Sequence, residues 1–63
     1  MRSNLKAARI SKGMTQAAVA AHIFVTVRYY KKIEYGEALG AIDLWDALED
    51  LFKIHQRKLR ELS

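Results

Sequence analysis

The sequence predicts an all-α fold. Apolar residues recur at helical spacing in several segments, and Thr15 and Thr26 each stand just before such a segment, where a helix cap belongs. The chain contains no proline and only three glycines, which disfavours a turn-rich β structure. Its 63 residues allow one small domain with a thin core, so we treat residues 1–63 as a single domain.

Two helices are predicted in the first third of the chain. The first covers residues 3–12, with Ser3 or Asn4 as its cap. The second follows at about residues 15–22, where the hydroxyl of Thr15 can accept a hydrogen bond from the first turn. This second helix is mostly alanine, and such small side chains allow another helix to approach closely.

One arginine of the first helix needs a partner. Arg9 lies beside the apolar stripe of that helix, and an unpaired buried charge is costly. Glu34 is the best candidate, because it lies at the edge of the apolar face of a later helix. We therefore predict a structural ion pair between Arg9 and Glu34, with no catalytic role.

The third predicted helix has two unlike faces. It covers residues 27–35 after the cap Thr26, and its apolar side contains Tyr30 and Ile33. The opposite side contains Arg28, Lys31, Lys32 and Tyr35. A helix of this diameter fits the major groove of DNA, where arginine donates two hydrogen bonds to guanine. A merely solvated surface is the alternative interpretation of such a face.

Two further helices are predicted after the glycine-containing connection 36–40. Apolar residues spread over about half the circumference of helix 41–52, wider than the usual stripe of a surface helix. The excess indicates either that Trp45 or Leu44 contacts something besides the core of its own chain or that the large Trp45 simply covers a small core. In the last helix, residues 55–62, Leu59 and Leu62 can dock on the core.

The charge of the chain is unevenly distributed. Residues 1–33 contain seven lysines and arginines and no carboxylate, whereas the whole chain has a net charge of +4. A strongly basic half indicates a polyanionic partner. A membrane surface is disfavoured, because residues 27–35 are too short to present a bulky apolar face beside the charges.

Several other classes are disfavoured by composition. There is no cysteine for a disulfide or a thiolate metal site, and His22 and His55 fall in separate helices without paired carboxylates. We expect no metal, no cofactor, no small-molecule substrate and no enzymatic activity. No apolar run is long enough to span a membrane and no signal peptide follows Met1, so we expect a soluble, cytoplasmic protein.

Four short motifs lie in the region from Leu5 to Leu59, and their spacing needs no insertion or deletion to match the pattern of a known family. They are Arg9-x-x-x-Gly13-Met14-Thr15-Gln16, Val19-Ala20, Val25-Thr26 and Ile33-Glu34-x-Gly36. In this order and spacing they resemble the helix-turn-helix domains of the Cro and phage-repressor type, also called Xre-like. The resemblance implies a five-helix, lambda-repressor-like bundle whose helix-turn-helix lies at about residues 15–35.

The resemblance also implies which residues meet DNA. Gln16 matches the position that contacts a phosphate or the edge of the site, and Arg28 is among the positions that face base edges, with Val27 and Lys32. Thr26 and Tyr29 match positions often used on the DNA backbone. The full set of predicted DNA-binding residues is Thr15, Gln16, Thr26, Val27, Arg28, Tyr29, Lys31, Lys32 and Tyr35.

The chain departs from the family pattern in its turns. Phe24 stands where the family usually places glycine, so either the turn differs locally or the helix runs on. Lys53 replaces a common glycine after the fourth helix, and Ala41 replaces a usual capping serine or threonine. These differences concern the loops.

The predicted function is that of a sequence-specific double-stranded DNA-binding regulator of transcription, a repressor of phage or mobile-element type. Because one helix in one groove gives little specificity, we expect a homodimer on two half-sites about 34 Å apart. Trp45, Leu59 and Leu62 are the predicted dimer interface. The alternative is a protein-interaction module such as an antitoxin or adaptor, whose mark would be an apolar recognition face.

Overall fold

The computed structural model describes residues 1–63 and consists of five helices without a strand. The helices follow the predicted order, and the last ends two residues before its predicted end. They are α1 (Ser3–Ser11), α2 (Gln16–His22), α3 (Val27–Glu34), α4 (Ile42–Phe52) and α5 (Gln56–Arg60). The all-α prediction is therefore confirmed.

The helices surround one core. Helix α2 packs mainly against α3, while α5 packs against both α1 and α4. Trp45 is the largest of the completely buried side chains, and its indole Nε1 donates a hydrogen bond to the Leu39 carbonyl at 2.9 Å. The core residues are Leu5, Ala8, Val19, Ala20, Ile23, Tyr30, Ile33, Leu44, Trp45, Leu48, Phe52 and Leu59.

Two of the three predicted dimer residues lie in this core, so that prediction is wrong for them. Trp45 and Leu59 are 1% and 0% exposed and offer no surface to a second copy. The physical reason is that α5 packs against α4 and covers a part of its surface. A helical wheel drawn for α4 alone does not show that this part is covered. Leu62 is 61% exposed, and its role in a dimer stays a prediction.

The two threonine caps predicted for the helix-turn-helix are present. Thr15 Oγ1 accepts a hydrogen bond from the amide of Ala18 at 3.0 Å, and Thr26 Oγ1 accepts one from the amide of Tyr29 at 3.1 Å. Each hydroxyl satisfies one of the free donors in the first turn of its helix. Local sequence thus sets the starts of α2 and α3.

The cap predicted for α1 is wrong, because its polar residues bind the other end of the chain. No side chain caps this helix. Ser3 Oγ lies 2.6 Å from Ser63 Oγ, and Asn4 Nδ2 donates to the Lys58 carbonyl at 3.1 Å. The amide of Ser63 also donates to the Met1 carbonyl at 2.9 Å, so the two chain ends lie side by side.

Arg2 is the unexpected member of the interior. It is only 4% exposed, and it donates to the carbonyls of Ile33 at 2.6 Å, Ala38 at 2.9 Å and Arg60 at 3.0 Å. Its guanidinium also lies 5.0 Å from the ring centroid of Trp45. Burial, aided by the charge of Arg60, lowers the pKa of Arg2. One charge of the basic half is therefore buried and is not part of the surface.

Phe24 left two alternatives for the segment between α2 and α3: a locally different turn or a longer α2. Helix α2 ends at His22 and does not run on. Phe24 adopts a left-handed conformation with φ of +60°, and Lys53 does the same with φ of +57° at the end of α4. Both residues therefore keep the backbone shape that glycine usually provides, although a bulky side chain there is strained.

Candidate nucleic-acid interface

Helix α3 presents opposite chemistry on its two sides. Tyr30, Ile33 and Glu34 are completely buried against the core. The outward residues form what we call the cationic face of α3. Its members are Arg28, Lys31, Lys32 and Tyr35, all exposed to solvent. The faces expected from helical periodicity are the faces observed, and three positive charges therefore lie on one side of a short helix.

Both ends of α3 are held in place. At the start, the Thr26 side chain caps the first turn. At the end, the backbone amide of Arg2 donates to the Glu34 carbonyl at 2.8 Å, and the Arg2 guanidinium binds the Ile33 carbonyl. The terminal carbonyls of a helix carry partial negative charge, so a buried guanidinium is well matched to them. The cationic face is thereby fixed in orientation.

The predicted ion pair joins α1 to α3. Arg9 Nε donates to Glu34 Oε2 and Arg9 Nη2 donates to Glu34 Oε1, both at 3.0 Å, with Glu34 almost completely buried. Arg9 Nη1 donates in addition to the Met14 carbonyl at 3.0 Å. The hydrogen bonds to Glu34 raise the pKa of Arg9. This two-point contact is the strong form of an arginine–carboxylate pair.

The starts of α2 and α3 supply further polar groups. Thr15 and Thr26 are exposed, and their oxygens accept the cap hydrogen bonds, so each hydroxyl still has its proton to donate. Gln16 is half-buried, and its Nε2 lies 3.5 Å from Glu34 Oε1. Gln16 is thus partly exposed and also contacts Glu34 of the buried ion pair. The sequence analysis did not predict this contact with Glu34.

The remaining predicted contact residues divide by exposure. Val27 is exposed at the first position of α3, where its methyl groups are accessible. Tyr29 is half-buried and packs against the core, so only part of its ring faces solvent. The direct roles of these residues on DNA stay predictions.

Tyr30 carries a buried hydroxyl without a hydrogen-bond partner. Burial, together with the negative charge of Glu34, raises the pKa of this phenol far above its ordinary value. Above about pH 10 the unfolded chain releases this proton while the folded chain retains it, so stability falls as the pH rises further.

We expect Tyr30→Phe to raise the unfolding free energy by about 1 kcal/mol at pH 7, because it removes an unpaired buried polar group. The variant should also lose less stability between pH 9 and pH 11, to be measured by urea unfolding. Tyr35→Phe, at an exposed tyrosine, is the control and should do neither. A destabilised Tyr30→Phe would mean that the hydroxyl is bonded in solution.

A capped helix, a tight turn and a second helix with an exposed cationic face define the helix-turn-helix class of DNA-binding domain. The helix-turn-helix family model matches residues 5–55, most of the chain. The protein belongs to this family, in its Cro and phage-repressor type. It is a helix-turn-helix DNA-binding regulator.

The other comparisons add no relative. No curated protein and no solved structure matches the chain. None of the five helices has the length and apolar character needed to cross a membrane.

Proposed function

We propose that the protein is a cytoplasmic, sequence-specific repressor of transcription, of the phage or mobile-element type, that binds double-stranded DNA as a homodimer. The observation that carries the proposal is the cationic face of α3, which is exposed while the opposite side of the same helix is completely buried.

The residues of α3 divide into two roles in this proposal. Lys31 neutralises a phosphate and contributes affinity that does not depend on sequence. Arg28 and Lys32 reach base edges in the major groove, where a two-point contact from arginine to guanine discriminates by about 1–3 kcal/mol. Val27, at the first helical position, touches a thymine methyl group.

The same proposal gives the caps and Gln16 a positioning role. The hydroxyl protons of Thr15 and Thr26 donate to phosphates on either side of the groove. Gln16 shares its amide between Glu34 and the DNA backbone, so that the ion pair helps to orient it. Phosphate contacts of this kind set the register of the protein on the duplex.

Selection from a randomised double-stranded DNA library at two salt concentrations tests the proposal. An enriched motif with dyad symmetry is expected, since a two-fold symmetric dimer binds two half-sites about 34 Å apart. Salt-sensitive binding without any motif would contradict sequence specificity. No binding at low salt would contradict DNA recognition altogether and would favour a protein-interaction module such as an antitoxin or adaptor.

Arg28→Ala and Lys31→Ala separate base recognition from phosphate contact. We expect Arg28→Ala to relax the preference at one base pair and to change the relative affinities of a site library by roughly tenfold or more at that position. Lys31→Ala should weaken binding to all sequences alike and reduce the slope of log K against log salt by about one unit.

Lys58→Ala is the matched control, because Lys58 is an exposed lysine on α5 rather than α3. It should leave the preference at every base pair unchanged. If Arg28→Ala left the relative affinities across the library unchanged, Arg28 would be a phosphate contact.

A further inference from the structure

A groove with an apolar floor lies between α1 and the segment that leads from α4 into α5. Its volume is about 410 Å³, and pockets that bind apolar ligands have volumes of about 300–1,000 Å³. It is lined by Asn4, Ala7, Ala8, Ser11, Ile54 and Lys58. The lining side chains of α1 are short, and Asn4 Nδ2 is engaged with the Lys58 carbonyl at 3.1 Å and with Glu61 Oε1 at 3.3 Å. The groove is therefore left open to solvent.

The surface of α5 beside this groove is cationic. A second hollow, of about 450 Å³, shares Lys58 with the groove and is lined by His55, Arg57, Lys58 and Glu61. Arg57, Lys58 and Arg60 are all exposed. None of them forms an ion pair, since the salt bridge of the structure joins Arg9 to Glu34. An apolar floor and unpaired positive charges thus adjoin each other on one face of the protein.

The apolar floor favours a protein over a nucleic acid as the occupant of this face. DNA would meet the cations through its phosphates, but phosphates and sugars gain little from the alanine and isoleucine of the floor. A protein segment that carries an apolar side chain between carboxylates matches both parts of the surface. None of the lining residues belongs to the predicted DNA-binding set, and α5 packs against α1 and α4.

We infer that the groove between α1 and α5 docks an acidic, amphipathic segment of another protein. An apolar side chain of that segment fills the floor formed by Ala7, Ala8 and Ile54, and its carboxylates meet Lys58 and Arg57. Amphipathic segments are recognised in apolar grooves in this way, and complementary charge at the rim adds specificity. This interaction goes beyond the proposed function, because it leaves α3 free and lets the protein hold DNA and its partner together.

Selection from a random peptide library displayed on phage, with the full chain as the target, supplies the probe. We expect the enriched peptides to share an apolar residue flanked by aspartate or glutamate. The most enriched peptide is then synthesised and titrated into the isotope-labelled chain. It should shift the amide resonances of Ala7, Ala8, Ile54 and Lys58, and it should leave those of α3 in place.

Two variants test the two parts of the surface with this peptide. Lys58→Glu should raise the peptide Kd by about tenfold or more, because it replaces an attraction with a repulsion, whereas Lys6→Glu makes the same change at an exposed lysine on the opposite side of α1 and should not. Ala7→Gln keeps a good helix former but covers the floor, and should also raise the Kd by about tenfold. Its control is Ala21→Gln, at an exposed alanine of α2.

Several results would overturn the inference. They are the absence of any acidic consensus, peptide-induced shifts outside the groove, and an unchanged Kd in both Lys58→Glu and Ala7→Gln. Shifts of the groove resonances with protein concentration alone would assign the groove to a second copy instead. If Lys58→Ala weakened DNA binding as much as Lys31→Ala, the groove would belong to the DNA interface. Peptide binding in the groove by a chain that binds no DNA would support the inference and contradict the proposed function.

Discussion

Replacing Glu34 with alanine is expected to cost about 3 kcal/mol of unfolding free energy. The substitution strands the Arg9 guanidinium, which now makes two hydrogen bonds of 3.0 Å to the Glu34 carboxylate, at a site shielded from water. It also removes the partner of the Gln16 amide. For a domain of this size, whose total stability is only about 3–9 kcal/mol, the loss is a large fraction of the whole.

Urea unfolding at pH 7 measures this effect, with Glu37→Ala as the matched control. Glu37 is an exposed glutamate three residues further along, and its loss should change stability by less than about 0.5 kcal/mol. The double variant Arg9→Met, Glu34→Leu should recover most of the stability, because an apolar pair leaves no uncompensated charge. A near-neutral Glu34→Ala would mean that the ion pair is absent in solution.

Arg2→Ala is expected to destabilise the fold by about 2–3 kcal/mol. Three carbonyls, those of Ile33, Ala38 and Arg60, lose a charged donor, and the face of Trp45 loses the guanidinium packed over it. The ends of α3 and α5 meet at this one side chain. We therefore also expect faster amide hydrogen exchange in the last turn of α3.

Arg2→Lys distinguishes charge from geometry. An ammonium keeps the positive charge but cannot reproduce the planar fork of donors, so its stability should lie between those of the other two chains. Lys6→Ala, at an exposed lysine of α1, is the control for loss of a positive charge from the same segment and should be nearly neutral. Equal stability of Arg2→Ala and the unmodified chain would show that the carbonyls are satisfied by water instead.

The parts of the fold that the sequence predicts well depend on short-range chemistry. Thr15 and Thr26 each bond an amide three residues ahead, so both helix starts are determined locally. The two sides of α3 follow from helical periodicity alone, because one side is apolar and the other carries three charges. The cationic face can therefore be assigned from residues 27–35 without knowing where any other helix lies.

The parts that the sequence does not predict depend on distant partners. Arg2 binds the backbone carbonyls of residues 31, 36 and 58 positions away in the chain. Because every residue has a backbone carbonyl, the sequence does not show which ones Arg2 binds. The burial of Trp45 and Leu59 depends on where α5 lies across α1 and α4, which a helical wheel of either segment leaves open. The contact of Gln16 with Glu34 similarly requires the packed arrangement of α2 and α3.

The hydrogen bond between Ser63 and Met1 also indicates that the chain is suited to circular permutation. Because residues 1 and 63 already touch, a short flexible linker could join them and make the backbone a closed ring. A new opening in the connection 36–40 would then yield a circular permutant with the same five helices in a different order. In that permutant the end of α3 would lie next to a free terminus, and Arg2 would become an internal residue.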